Sequence, residues 1–209
     1  MVTQGAVFIV DDEPGVRKAL RVVVEAAGLR AQTFESAEDF LQRGLADSPG
    51  CLLLDLRLRG ISGLQLLDQL QKRNSPLHTL MISGHGDIRT AVETMKLGAV
   101  DFLEKPLVHS MLVEKIREAL AKIEAKSREE ETGSREKDRL SGVTPREREI
   151  TRMLIAGKSS KQIAAELGLS YRTVCNHRAN LLAKTGAENT ADLVRMALTA
   201  GFNMPAKDK

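Results

Sequence analysis

The feature that most constrains this chain is an alternation over residues 1–123. Five short apolar runs take turns with segments of helical spacing, and most of the runs end at an acidic or small polar side chain. Residues 6–10 form a β-rich run that ends at Asp11-Asp12. Residues 16–27 have helical spacing and stop at Gly28, and residues 29–34 read as a second strand. Ser36 and Asp39 make an S-x-x-D capping pattern ahead of a short helix. Residues 51–54 are continuously apolar and end at Asp55, as expected of a strand buried on both faces. Helical spacing returns at 64–70, a fourth strand at 77–82 ends in Ser83-Gly84, and a helix at 88–97 is stopped by Gly98. A fifth strand at 100–103 leads into Glu104-Lys105-Pro106, and a helix follows over 108–123. Strands that alternate with helices predict an α/β fold, a doubly wound five-stranded parallel sheet, although the strand order cannot be read from the pattern.

The pattern then changes. Residues 124–140 are charged, short of large apolar side chains and interrupted by Gly133-Ser134. They read either as a linker or as a helical extension of the preceding helix. Beyond them the spacing is helical throughout. Thr144-Pro145-Arg146-Glu147 combines an N-cap, Pro at the first helical position and Glu at the third. Ser159 or Ser160 caps the next helix, which Gly168 stops. Ser170 caps a third helix through about residue 184, and Asn189 or Thr190 caps a fourth that ends at Gly201. The expected organisation is 1–123, a charged segment at 124–140, and a small all-α four-helix domain at 141–209. Gly-Leu-Ser between the second and third helices of that last domain suits a helix-turn-helix.

Charge separates the two ends. Residues 141–209 hold 11 Lys and Arg against 6 Asp and Glu, while 1–123 and 124–140 each carry a net −1. A basic C-terminal part suggests a polyanionic partner, with a chance surface excess as the alternative. Cys51 and Cys175 are too few for a disulfide framework, and Cys51 reads as a small core residue. The first residues lack the basic and apolar regions of a signal peptide. No apolar run approaches the roughly 20 residues needed to span a bilayer. Together these features predict a reduced, cytoplasmic protein with no membrane contact.

The expected sheet puts Asp11-Asp12, Asp55, Ser83-Gly84 and Lys105 at the carboxyl ends of strands one, three, four and five, where open α/β sheets bind ligands. Three carboxylates there repel one another unless a cation intervenes. A hard divalent ion such as Mg²⁺ takes oxygen ligands, Lys105 adds a positive charge, and Ser83 can hydrogen-bond an anion. A carboxylate nucleophile with these neighbours suits phosphoryl transfer onto aspartate. Any one of these residues alone is an ordinary strand-end polar group; the meaning lies in all four sites occurring together.

On these residues the segment 1–123 resembles the CheY-like receiver domain of bacterial response regulators. The resemblance implies that Asp55 accepts the phosphoryl group. It also implies that Asp12 binds Mg²⁺ directly, that Asp11 assists through water, and that the Arg57 backbone carbonyl is a further ligand. Ser83 and Lys105 would engage the phosphoryl group, Lys105-Pro106 would be cis, and Phe102 would be the aromatic switch, a role compatible with a core aromatic. The family picture includes a change in the surface around helix four, strand five and helix five. His85 sits in the same loop, where a solvated histidine suffices, and His78 and His109 have no discernible role.

Leu140 to Glu149, Gly157 to Ala164, Leu169 to Leu181 and Lys184 to Ala187 resemble the LuxR/NarL type of DNA-binding domain. The third helix holds Arg172, Arg178 and Lys184 and no acid. Val174, Leu181 and Leu169 supply its buried side. Arg172, Cys175, Asn176 and Ala179 would face base edges in the major groove, and Thr173, His177, Lys161 and Lys184 would meet phosphates. Asn176 and Arg178 read equally as solvated surface, and His177 as a surface or core histidine. Family members often carry Lys where this chain has Cys175, which leaves the base preference open. The fourth helix resembles one that mediates dimerisation, and part of its face must be core.

The whole layout resembles regulators of the FixJ type, especially Ser-Gly-His-Gly-Asp at 83–87 and Gly-Ala-Val-Asp-Phe-Leu-Glu-Lys-Pro at 98–106. It implies a transcription regulator of a two-component system. A sensor histidine kinase would phosphorylate it, it would dimerise on phosphorylation, and it would bind a double-stranded promoter and work with RNA polymerase. The alternatives are a phosphatase acting through an aspartyl phosphate and a constitutive DNA-binding protein. The phosphatase would need D-x-D at the nucleophile, where this chain has Asp55-Leu56-Arg57. The intact acidic site argues against the constitutive reading.

Overall fold

A computed structural model describes residues 5–84 and 88–202. His85 and residues 203–209 lie outside the described residues. The chain divides into two compact units, Met1–Ala125 and Lys126–Lys209. Among the described residues, no helix is long and apolar enough to cross a membrane.

In the first unit, strands β1 (Ala6–Val10), β2 (Arg30–Phe34), β3 (Gly50–Asp55), β4 (Leu77–Ser83) and β5 (Asp101–Glu104) form one sheet. Its order is β2-β1-β3-β4-β5, and every neighbouring pair is parallel. The doubly wound α/β reading therefore holds, and the strand order comes from the structure. Helices α1 (Pro14–Ala26), α2 (Ala37–Gln42), α3 (Gly63–Lys72), α4 (Ile88–Lys96) and α5 (His109–Arg139) connect or follow the strands, with one 3-10 turn at Leu45–Asp47 that the sequence pattern did not mark.

Side chains of the central strands alternate between two cores, one on each sheet face. Phe8, Val10, Leu52, Leu54 and Met81 pack with Phe40 of α2 and Leu66, Leu67 and Leu70 of α3. Val7, Ile9, Leu53, Leu80 and Ile82 pack with Leu20 and Val24 of α1 and Leu112, Ile116 and Leu120 of α5. Each such buried side chain contributes about 2 kcal/mol. Burial on both faces explains why β3 reads as an unbroken apolar run rather than an alternating one.

Helix α5 runs on to Arg139, so residues 124–139 are helical rather than coil. An i,i+4 pair, Glu131 with Arg135, and the Thr132 hydroxyl donating to the Arg128 carbonyl lie on this stretch. They accompany the helix past Gly133, where an interior glycine costs about 1 kcal/mol.

The second unit holds α6 (Pro145–Ile155), α7 (Ser160–Leu167), α8 (Tyr171–Thr185) and α9 (Thr190–Thr199). Caps set the starts. Thr144 and Ser159 form capping boxes with Glu147 and Gln162, and Ser170 and Asn189 accept from the N–H three residues on. Of the two expected candidates each time, Ser159 and Asn189 are the caps. Leu140, Ile150, Ile163, Val174, Leu181, Leu193 and Met196 share one core.

Candidate functional site

Strand register assembles the acidic site. Val10 pairs with Leu54, so Asp11 and Asp55 are next in line on neighbouring strands. Asp55 pairs with Ile82, and Ser83 follows it; Ser83 pairs with Glu104, and the Lys105 N–H donates to the Ser83 carbonyl at 2.8 Å. Lys105 Nζ bridges two carboxylates, 2.7 Å from Asp55 Oδ1 and 2.9 Å from Asp11 Oδ2. The second Asp55 oxygen accepts the Arg57 backbone N–H at 2.7 Å, and Asp11 Oδ1 accepts that of Glu13 at 2.8 Å. Asp12 faces Arg59 at 3.3 Å. Ser83 is buried, Phe102 is half-buried against the α2/α3 core, and the Lys105-Pro106 peptide is cis.

Burial pushes the Asp55 carboxyl above its usual range. Neighbouring Asp11 adds to that, and the Lys105 ammonium and the Arg57 N–H pull the other way. Lys105 is held firmly charged, because its two carboxylates outweigh the burial that opposes it. Asp55 is thus a carboxylate whose charge is only partly compensated.

The donor set suits a hard cation: Asp11, Asp12, Asp55 and the Arg57 carbonyl offer oxygen only. A cation already stands in at each end, Lys105 on Asp11 and Asp55, and Arg59 on Asp12. Among the described residues, no three acidic, His or Cys side chains enclose a metal by themselves. A backbone carbonyl and waters would complete the shell, as Mg²⁺ commonly requires.

One residue near this site escaped the sequence reading. Glu38 of α2 accepts the Ile61 N–H at 2.8 Å, across 23 positions, and so ties down the loop that follows Asp55. Gly60 has φ +78°, and a β-carbon there would fall 2.4 Å from the Glu38 carboxylate. The same backbone hydrogen bond holds the Glu38 carboxyl below its usual range. In the sequence Glu38 reads only as part of a helix start, because a contact across 23 positions leaves no local pattern.

The basic unit sorts its expected contacts into two groups. Arg172, Asn176 and Ala179 are exposed along α8, and Asn180 and Ala183 continue the same stripe. Asn180, four positions on from Asn176, was not among the expected contacts but shares their exposed face. Lys161 of α7 is also exposed, while Thr173, Cys175 and His177 are half-buried. Thr173 shares a 2.8 Å hydrogen bond with the Ser170 hydroxyl. Arg178 and Lys184 are engaged inside the unit. Arg178 donates to the Ser160 and Thr190 hydroxyls, at the starts of α7 and α9. Lys184 Nζ lies 2.9 and 2.8 Å from the two carboxylate oxygens of buried Glu147.

A parallel sheet with carboxylates and a lysine at its carboxyl edge, followed by a basic helix-turn-helix unit, defines a receiver joined to a DNA-binding module. Residues 7–117 match the response regulator receiver domain, and residues 141–197 match the bacterial regulatory proteins of the luxR family. The transcriptional regulatory protein FixJ of Azorhizobium caulinodans is 41% identical over 202 residues, covering 97% of this chain and 95% of that protein. The solved structure of the response regulator StyR has a TM-score of 0.78 at 35% identity, covering 94% of this chain and 99% of StyR. That of full-length FixJ from B. japonicum has a TM-score of 0.60 at 38% identity, covering 97% and 100%.

This chain therefore belongs to the two-component response regulators that join a receiver to a LuxR-type DNA-binding domain and control transcription. At 35% identity StyR is no nearer in sequence than FixJ.

Proposed function

We propose that Asp55 is the phosphoryl acceptor of this regulator and that its phosphorylation by a sensor histidine kinase promotes dimerisation and promoter binding. The observation that carries the proposal is the Lys105 ammonium shared by Asp55 and Asp11 at the carboxyl edge of a sheet whose chain continues into a helix-turn-helix. An Asp55 oxygen forms the bond to phosphorus as the bond from phosphorus to the donor breaks. Lys105 and the Ser83 hydroxyl receive the charge on the phosphoryl oxygens. Asp11, Asp12, Asp55 and the Arg57 carbonyl would hold Mg²⁺, which supplies further neutralisation of those oxygens. The receiver's chemistry is its own phosphorylation and dephosphorylation, in the service of signalling in the cytoplasm. Phe102 and Ser83 are the switch pair. Exposed Ile88, Val92 and Met95 on α4, with Val108 just before α5 and Met111 in its first turn, supply apolar surface for a dimer.

On DNA, Arg172, Cys175, Asn176 and Ala179 face base edges, and Lys161, Thr173 and His177 lie toward phosphates. Arg178 and Lys184 reach DNA only by leaving their present partners, so their first role is to hold the unit together. The bound dimer acts with RNA polymerase, as an activator.

Incubation with Mg²⁺ and acetyl phosphate, followed by intact mass and by dimer and gel-shift measurements beside Asp55→Asn, tests this reading. A phosphoryl adduct absent from the variant, with a shift to dimer and tighter DNA binding, is expected. DNA binding that ignores phosphorylation would replace it with the constitutive alternative.

A further inference from the structure

We infer that Arg139, in the last turn of α5, is a positioning residue for DNA recognition: its guanidinium clamps the C-terminal end of α8. This rests on the reading of α8 as the helix that meets DNA. The last carbonyls of a helix have no partner within it and form the negative end of its dipole. At the end of α8, Arg139 Nε donates to the Thr185 carbonyl and Nη2 to the Gly186 carbonyl, each at 2.9 Å. Nη1 turns back to Glu136 at 3.4 Å. The planar fork of arginine can serve two adjacent carbonyls and a carboxylate at once, which a lysine ammonium cannot do with the same geometry.

The surroundings are built around this contact. Gly186 caps α8 with φ +66°, and a β-carbon there would come within 3.2 Å of Arg139 Nη2. Glu136 is 6% exposed and Leu140 2%, both unusually buried for a charged segment that reads as a linker or a solvated helical extension. One turn earlier, a β-carbon on Gly133 would stand 3.3 Å from the Thr199 carbonyl at the end of α9. The end of α5 is thus a working part of this unit.

The exposed stripe of α8 (Arg172, Asn176, Ala179, Asn180 and Ala183) reads bases only at one rotation and tilt of the helix. Its N-terminal end is capped by Ser170, and Arg178 at its middle ties it to α7 and α9. Arg139 sets the other end. Each of its three guanidinium nitrogens has a partner within the unit, Nη1 only at 3.4 Å and with the side chain 41% exposed. Its part in binding is therefore taken as geometric, and the scrambled duplex tests the alternative of a charge offered to phosphate.

The test uses the full chain and a duplex recovered from a random-sequence pool by the phosphorylated wild-type protein, with a scrambled duplex as control. Arg139→Ala is expected to bind the selected duplex about tenfold more weakly, the loss of roughly one well-made charged hydrogen bond, and the scrambled duplex nearly as before. Arg139→Lys should fail to restore the difference, and amide exchange across residues 182–187 should quicken in both variants of the free protein. Unchanged exchange there, or a selected-to-scrambled ratio equal to that of wild type, overturns the clamp. Full rescue by lysine also overturns it, in favour of a simple phosphate contact. Should Arg139→Ala not fold, Arg139→Lys decides alone by the same two readings. A wild-type protein that recovers no duplex would instead sink the reading of α8, and the inference with it.

Discussion

Each unit contains a buried carboxylate paired with a lysine, and the two pairs behave oppositely. Asp55 and Lys105 stand at the open edge of a sheet, with a second acid, Asp11, on the same ammonium. Glu147 and Lys184 join α6 to α8 with no second acid at the ammonium among the described residues, and both carboxylate oxygens of Glu147 face Lys184. Burial opposes ionisation in both cases. At Glu147 the Lys184 ammonium, then the Thr144 backbone N–H and hydroxyl, more than offset it and hold the carboxyl below its usual range. At Asp55 burial and Asp11 win, and the carboxyl is raised. A fully compensated pair holds helices together, whereas a carboxylate left partly uncompensated at a sheet edge suits the further cation and phosphoryl group proposed for Asp55.

Experiments can break or sharpen this contrast. The largest effect is expected from Asp55→Asn, which should abolish the phosphoryl adduct seen by intact mass after acetyl phosphate and Mg²⁺; a persistent adduct would move the nucleophile elsewhere. Next, Lys184→Met should destabilise the DNA-binding unit by about 2 kcal/mol in chemical denaturation, because it strands a buried acceptor. Mg²⁺ should not recover that loss, and a cost near zero would make Glu147 and Lys184 an ordinary surface pair. Glu38→Ala should raise the Mg²⁺ concentration at half-saturation about fivefold by calorimetry, the worth of roughly 1 kcal/mol. Glu38→Gln, which keeps an acceptor for the Ile61 N–H, should restore it, and equal effects of Ala and Gln would point to charge rather than loop anchoring.

The smallest effect is pH dependence. Because the folded Glu147 carboxyl is held below its unfolded value, its stabilisation is present above the ordinary glutamate range. It is lost as pH falls through the lowered folded value. Thermal unfolding of wild type against Glu147→Gln should therefore converge on acidification. Curves that stay parallel would assign the acid sensitivity to other groups.

Much of this was legible in the residues. The alternation of apolar runs and helical spacing is local, so it announced the sheet and its helices. Capping boxes are local too, and Thr144 with Glu147 marked the start of α6 directly. Asp11, Asp55, Ser83 and Lys105 were visible because parallel strands bring all their carboxyl ends to one edge. Lys184 looked like a phosphate ligand, and Arg178 like a DNA contact or solvated surface, for the same local reason, a basic helix without acids. Their partners Glu147, Ser160 and Thr190 lie 37, 18 and 12 positions away, beyond any helical period.

Apart from the helical continuation over residues 124–139 and the 3-10 turn at Leu45–Asp47, the sequence by itself determined which segments are strands and helices, where the helices begin to within two residues, and which chemistry sits at strand ends, because these follow from side-chain periodicity and nearby hydrogen bonds. Only the tertiary structure decided the strand order, the shared use of Lys105, the Glu38 anchor on the loop after Asp55 and the Arg139 clamp on α8. Each of those depends on which distant groups meet once the cores have closed, when an unpaired buried donor or acceptor costs more than any local preference can return.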